Sequence, residues 1–87
     1  IKTAINSTYP NPFNPSTTIS YGLSSDTQVS IMVYDAAGRL VTELVNDSQS
    51  AGYHSAVWNA SNNASGMYFV KMVAGEKVET SKLMLLK

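Results

Sequence analysis

The 87-residue chain contains no cysteine, which excludes a disulfide framework, a thiolate zinc site and a cysteine nucleophile. Charge is also scarce, since only 14% of the residues are charged and six basic residues balance six acidic ones. Without a surplus of either sign, nothing indicates nucleic acid or an anionic membrane as a partner. No apolar run approaches the ~18 residues of a transmembrane helix.

Groups that could carry catalysis are equally sparse. His54 is the only histidine, and its neighbour Ser55 would point to the opposite face of a strand, so the two cannot form a catalytic pair. The acidic residues are dispersed, mostly at turns, without an Asp-x-Asp cluster. They are Asp26, Asp35, Glu43, Asp47, Glu76 and Glu79. We therefore predict no enzyme activity, no cofactor and no metal site, and leave open a weak cation site of loop oxygens at residues 59–63.

What the chain does have is apolar residues, at 44% of the total, which predicts one small globular domain with a single core. It begins at Ile1 without a methionine, and residues 82–87 are dense and apolar where termini are usually polar. We therefore expect a piece of a longer protein whose carboxyl end is Lys87.

All three prolines, Pro10, Pro12 and Pro15, fall within six positions. Each fixes φ, removes a backbone donor and favours an extended residue before it, so residues 9–15, here called the proline segment, should hold one shape without ladder hydrogen bonds. Tyr9 and Phe13 are predicted to fasten this segment to the end of a β core. An alternative role, compatible with the first, is protection of a sheet edge from aggregation.

The rest of the chain alternates polar and apolar residues with turn signals about every ten residues. Trp58 and Tyr68 are predicted to fill the core. Gly38, Gly52 and Gly66 are predicted at turns or bulges, as is Gly75. The predicted strands are residues 17–23, 28–34, 39–45, 53–59, 67–73 and 78–86, with an edge strand at 2–6 and a surface crossing between sheets at 46–52.

Seven short strands without a helix predict an all-β fold, an immunoglobulin-like antiparallel β-sandwich, with a small barrel as the alternative. We divide the chain into residues 1–16, a proline-rich lead-in with the edge strand, and residues 17–87, the sandwich. A carbohydrate-binding module is an alternative function, which would require an exposed flat strip of aromatic rings. Its members would be Tyr9, Tyr34, Tyr53, Trp58 and Tyr68.

Five stretches in this order resemble a known family: Tyr-Pro-Asn-Pro-Phe-Asn-Pro-Ser-Thr-Thr-Ile at residues 9–19, the hairpin at 33–41, Ala-Gly-Tyr-His leading to Trp58, Ser-Gly-Met-Tyr-Phe at 65–69, and the closing residues 82–87. Together they resemble the C-terminal sorting domain of type IX secretion cargo. The chain is also similar to the immunoglobulin-like domain of flagellar hook-capping proteins, so a passive structural spacer or assembly domain is a second alternative function. The motif residues are Tyr9, Pro10, Asn11, Pro12, Phe13, Asn14, Pro15, Gly38, Gly52, Trp58, Gly66 and Tyr68.

The resemblance implies a non-catalytic targeting module of a secreted or cell-surface protein. Its expected partners are an upstream cargo domain, components of the type IX translocon, and a sortase-like cysteine peptidase that removes the module after passage through the periplasm and can attach the cargo to the surface. We expect the translocon to read the terminal strand, by adding a strand to an open sheet edge. The candidate recognition residues are Lys82, Leu83, Met84, Leu85, Leu86 and Lys87.

Overall fold

Two antiparallel sheets form the structure, a computed structural model that describes all of residues 1–87. The smaller sheet has the strand order β1-β2-β5 and the larger one the order β4-β3-β6-β7. This is an immunoglobulin-like arrangement in which the fourth strand pairs with the third, and it is a sandwich of two sheets, not a barrel. The strands are β1 (Ala4–Tyr9), β2 (Ser16–Leu23), β3 (Thr27–Asp35), β4 (Leu40–Gln49), β5 (Gly52–Asn59), β6 (Gly66–Ala74) and β7 (Lys77–Leu85).

The core lies between the inward faces of these sheets, and strand alternation places the apolar residues there. Alternate residues of β2, β3 and β6 are buried, which confirms the predicted alternation: Ile19, Tyr21 and Leu23 in β2, Val29, Ile31 and Val33 in β3, and Tyr68, Val70 and Met72 in β6. Trp58 and Tyr68 are also buried, as predicted. The core residues are Phe13, Ile19, Tyr21, Leu23, Val29, Ile31, Val33, Trp58, Ala60, Tyr68, Val70, Met72, Ala74, Leu83 and Leu85.

Two strands differ from their predicted bounds by more than one residue, and each difference has a physical reason. β4 runs to Gln49 instead of residue 45, so that the crossing to the other sheet needs only residues 50 and 51. The polar residues of this stretch still pair with β3, where Gln28 Nε2 donates to Asn46 Oδ1 at 3.0 Å. A polar stretch can remain a strand here because one face of the sheet meets water.

β1 covers residues 4–9 where the alternation predicted an edge strand over residues 2–6. The pairing of β1 with β2 shifts between Ile5 and Ser7, which leaves Asn6 as an extra residue. Such a bulge reverses which residues face inward, so a simple period of two places the strand incorrectly.

The four glycines predicted at turns or bulges all have positive φ angles. Gly38, at φ 85°, lies in the loop between β3 and β4, and Gly75, at φ 60°, in the loop between β6 and β7. Residues with a Cβ are disfavoured in this left-handed region, so glycine allows the two hairpins to close tightly.

Candidate functional site: the terminal strand

The candidate recognition residues lie on β7 and just beyond it, at one edge of the larger sheet. Leu83 and Leu85 are fully buried in the core. Lys82, Leu86 and Lys87 are exposed, whereas Met84 is half-buried. Inward and outward side chains alternate along the strand. Burial of Leu83 and Leu85 therefore turns Lys82, Met84 and Leu86 toward the opposite, outward face.

The outer edge of β7 is already covered by the proline segment. The side-chain amide of Asn11 provides both halves of a backbone-like pair, because Asn11 Nδ2 donates to the Lys82 carbonyl oxygen at 2.9 Å and the Met84 N–H donates to Asn11 Oδ1 at 3.0 Å. The same Nδ2 lies 3.1 Å from Thr8 Oγ1, which positions the amide. The side-chain amide of Asn11 thus makes the two hydrogen bonds to β7 that the backbone of a neighbouring strand would otherwise make.

Phe13 continues the cover through its own backbone. Its N–H donates to the Met84 carbonyl at 2.9 Å, and its carbonyl accepts from the Leu86 N–H at 3.0 Å. Phe13 and Leu85 form a parallel bridge, so the expectation that the proline segment makes no ladder bonds is wrong at this residue. Phe13 can donate to β7 because, unlike the prolines on either side of it in the segment, it has a backbone N–H group. Asn11 pairs with β7 through its side-chain amide.

Of the two side chains predicted to fasten the proline segment, only Phe13 does so. Phe13 is 2% exposed, whereas Tyr9 is 77% exposed, so the prediction for Tyr9 is wrong. Tyr9 belongs to β1 and pairs with Thr18. Its neighbour Pro10 contributes a carbonyl that accepts from the buried Thr17 hydroxyl at 2.8 Å, which holds the segment against β2.

Three aromatic rings connect the proline segment to both sheets. The Phe13 ring lies 5.5 Å from the Trp58 ring, and Trp58 meets Tyr68 edge-on with centroids 5.1 Å apart. Trp58 belongs to β5 in the smaller sheet and Tyr68 to β6 in the larger one. The Tyr68 hydroxyl donates to the Ala64 carbonyl at 2.6 Å, so its buried polar atom is satisfied.

The two terminal lysines differ in their surroundings. Lys87 Nζ donates to the Ser61 carbonyl at 2.7 Å, and the Lys87 N–H donates to Ser65 Oγ at 3.0 Å. Lys82 makes no side-chain hydrogen bond and no ion pair. The ammonium group of Lys82 is therefore solvent-exposed and unpaired. Lys87, in contrast, is hydrogen-bonded to the loop between β5 and β6.

The hairpin between β3 and β4 is closed by Asp35. Asp35 Oδ1 accepts from the Arg39 and Ala37 N–H groups at 2.9 and 3.0 Å, and Arg39 Nε donates to Oδ2 at 3.0 Å. The backbone hydrogen bond from Arg39, followed by the charge of its guanidinium, lowers the pKa of the Asp35 carboxyl. This is the only ion pair in the structure, and both its partners belong to the turn.

The residues considered for catalysis are not brought together. His54 stacks on Tyr21 with ring centroids 5.5 Å apart, and its Nε2 lies 2.7 Å from the Ser50 carbonyl. Burial raises the pKa of Tyr21, whose hydroxyl is hydrogen-bonded to Gln49. No group of three or more His, Asp or Glu residues could hold a metal ion. The structure also has no helix with the length and apolar character needed to cross a lipid bilayer.

The aromatic residues do not form the flat strip that a glycan platform would need. Trp58 and Tyr68 are buried, and Tyr34 lies on the outward face of the larger sheet. Tyr9 and Tyr53 are exposed but lie at opposite ends of the smaller sheet, where β2 pairs them with Thr18 and Gly22. No sugar ring could therefore stack on more than one of them at a time.

Sequence reasoning did not find the double role of Asn11. The proline pattern marks the segment, yet no signal in the sequence distinguishes Asn11, whose amide pairs with β7, from Asn14, which makes no side-chain hydrogen bond. The other motif residues, Pro12, Pro15 and Gly66, lie in the proline segment and at the start of β6.

The structure is a small two-sheet sandwich whose terminal strand is anchored in the core by Leu83 and Leu85 and partly exposed. The chain belongs to the secretion system C-terminal sorting domain family, whose family model matches residues 7–86. No curated protein matches the chain. Domains of this family are non-catalytic sorting signals of type IX secretion, which implies a secreted or cell-surface protein that interacts with that machinery.

Proposed function

We propose that this chain is the export address of a longer cargo protein and that the outer-membrane translocon of type IX secretion reads it. The observation that carries the proposal is the family match across residues 7–86, which includes all of β7 and the proline segment that covers it. The chain itself would perform no chemistry. Residues 1–16 would serve as lead-in and edge strand, and residues 17–87 as the sandwich that displays the signal.

The surface that we assign to recognition is the outward side of the terminal strand. Lys82, Met84 and Leu86 project from it, with Lys87 at its end, while Leu83 and Leu85 hold the strand in the core. A free cation beside apolar side chains is a pattern that a partner with a carboxylate and an apolar pocket would fit. The six residues 82–87 thus divide into an anchoring set and a presented set.

Recognition by simple addition of a strand to β7 would require a rearrangement. The outward backbone groups of Lys82, Met84 and Leu86 are hydrogen-bonded to Asn11 and Phe13. A partner strand would have to displace the proline segment before it could pair there. We therefore favour recognition of side chains on the folded sandwich over pairing at an open edge.

The later steps of export are part of the same proposal. The cargo would cross the periplasm in a folded form, and a sortase-like cysteine peptidase would then remove the domain and could attach the cargo to the cell surface.

The experiment is a secreted reporter fused to residues 1–87 in a host with type IX secretion. The full domain should bring the reporter to the surface or the medium, and removal of residues 82–87 should leave it in the periplasm. Because that deletion also removes Leu83 and Leu85 from the core, the informative variant is Lys82→Ala with Lys87→Ala, whose melting temperature should change little.

A matched control carries Lys2→Ala with Lys77→Ala, which removes the same charge from exposed positions outside residues 82–87, Lys77 lying at the opposite end of β7. Export should fall for the terminal pair and not for the control pair. Equal export of the truncated and full-length reporters would disprove an address in the terminal strand. If only unfolded variants fail, the receptor reads the fold and not these lysines.

A further inference from the structure

The four outer edges of the two sheets are not equally protected. β7 is covered by Asn11 and Phe13, and the Ile5 N–H of β1 donates to Glu79 Oε1 at 3.2 Å, so β1 and β7 are joined along one side of the sandwich. β1 also carries a bulge at Asn6. Bulges and covering segments are the usual means by which proteins prevent edge strands from pairing with other chains.

The opposite side of the sandwich is formed by β4 and β5. β4 is protected, because its pairing with β3 shifts twice, leaving Val41 and Leu44 as extra residues, and because it carries Glu43 and Asp47. Irregular geometry and like charges both oppose pairing of this strand with a copy of itself.

β5 has none of these protections. Its eight residues pair with β2 in an unbroken register, and they include no proline and no charged side chain. No hydrogen bond from elsewhere in the chain reaches the backbone of β5 on the side away from β2. Tyr53 and Val57 are 73% and 61% exposed on its solvent face. A long, regular, uncharged edge with exposed apolar residues is a site for strand addition.

The side-chain pattern of β5 identifies a second copy of the same strand as a suitable partner. In an antiparallel pair centred on Ser55, Tyr53 of one copy lies opposite Val57 of the other, and the same pair occurs again across the two-fold axis. Aromatic and β-branched residues form favourable cross-strand pairs. His54 would face Ala56, and no two charges would meet, since the strand has none.

We propose that β5 is a self-pairing edge through which two copies of this domain associate, joining their smaller sheets into one six-stranded sheet with Ser55 on the two-fold axis. The pairing is isologous, so it closes as a dimer and leaves β5 with no free edge for further growth. The terminal strand lies on the other side of the sandwich, so each copy would still present residues 82–87. Because this pairing does not depend on secretion, it can be tested on the isolated domain, residues 1–87.

Sedimentation equilibrium tests the association directly. The mean mass of the wild-type chain should rise from that of a monomer toward twice that value as the concentration is raised to ~1 mM, because a pair formed by one strand edge is weak. Ser55→Lys places two like charges opposite each other on the two-fold axis and should weaken the dimer ~10-fold or more. Since Ser55 is exposed, the melting temperature should change little.

Ser48→Lys adds the same charge to the other strand on this side, β4, and should leave the dimer unaffected. A chain that stays monomeric at the highest concentration would overturn the proposal, as would a dimer that tolerates Ser55→Lys. A monomer that instead binds an unrelated extended peptide at β5 would also overturn it.

The register is tested with single cysteines, because the chain has none of its own. Under mild oxidation Ser55→Cys should link two copies, since residue 55 faces itself. Asn59→Cys should not, because residue 59 and its equivalent would lie about 27 Å apart, or eight residues along an antiparallel pair. Efficient linking through residue 59 instead of residue 55 would disprove the proposed register and, with it, the Tyr53–Val57 pairing.

Discussion

The ring of Phe13 packs against the indole of Trp58 with centroids 5.5 Å apart, although 45 positions separate the two residues (58 − 13). This contact joins the proline segment to β5, and the Trp58–Tyr68 contact extends it to β6. Trp58 therefore links the proline segment to both sheets, and the packing at this end of the sandwich depends on its side chain.

Trp58→Ala should destabilise the domain by about 3 to 5 kcal/mol, because it removes a buried ring and leaves a cavity between Phe13 and Tyr68. Chemical denaturation followed by circular dichroism gives this value. Val57→Ala, at the exposed neighbouring position, should cost about 0.5 kcal/mol or less. A loss below ~1 kcal/mol for Trp58→Ala would contradict the packing described here.

Asn11→Ala should destabilise the domain by about 1 kcal/mol, because it removes two hydrogen bonds to β7 and one to Thr8 at a solvent-exposed edge. The more specific result is faster hydrogen exchange at the Met84 amide, whose acceptor is lost, than at the Leu86 amide, whose acceptor is the Phe13 carbonyl. Asn14→Ala is the matched control, since Asn14 is exposed and makes no side-chain hydrogen bond. Similar exchange at Met84 in both variants would mean that Asn11 does not cover the edge.

Asp35 should make the β3–β4 hairpin sensitive to acid. The pKa of Asp35 is lowered in the folded chain by the Arg39 backbone hydrogen bond. The ionised carboxylate therefore stabilises the folded chain fully above the unfolded pKa of about 4, and this stabilisation is lost as the pH falls through the folded pKa. A carboxyl titration followed by NMR should place the Asp35 midpoint below the usual range, with loss of protection at the Arg39 amide. Asp35→Asn should abolish this pH dependence; an unchanged acid profile would exclude Asp35 as its source.

Tyr21 should produce the opposite dependence at alkaline pH. Burial raises its pKa in the folded state, so the stabilisation is present below the unfolded value of about 10 and is lost as the pH rises. Tyr21→Phe should flatten the stability of the domain as the pH rises above about 10, the ordinary pKa of tyrosine. The check is thermal unfolding across that range for both proteins, and parallel curves would show that another group is responsible.

The isolated domain should show no hydrolase activity and no binding to common polysaccharides at millimolar or lower concentration. The reason is that His54 is engaged with Tyr21 and Ser50, and the exposed rings Tyr9 and Tyr53 are at opposite ends of their sheet. Isothermal titration and reducing-sugar assays measure these properties. Saturable glycan binding that disappears in Tyr53→Ala or Tyr9→Ala would refute the prediction.

The sequence by itself determined the fold class and most of the strands. Alternation in residues 17–23, 28–34 and 67–73 was sufficient because each strand has one buried face, and a shift by one residue would expose all of its apolar side chains. The turn glycines were predictable for a similarly local reason, since a positive φ is costly for any residue with a Cβ. The order of the motifs also indicated the family to which the chain belongs.

Only the tertiary structure decided how the ends of the chain meet. Whether the edge of β7 is open depends on where the proline segment lies, and that position is set by the burial of Phe13 against Trp58. The same holds for Tyr9, which is as large and apolar as an anchor should be but projects into solvent from β1. Local patterns record which residues favour a strand or a turn; they do not record which groups become neighbours, because those contacts join residues more than forty positions apart.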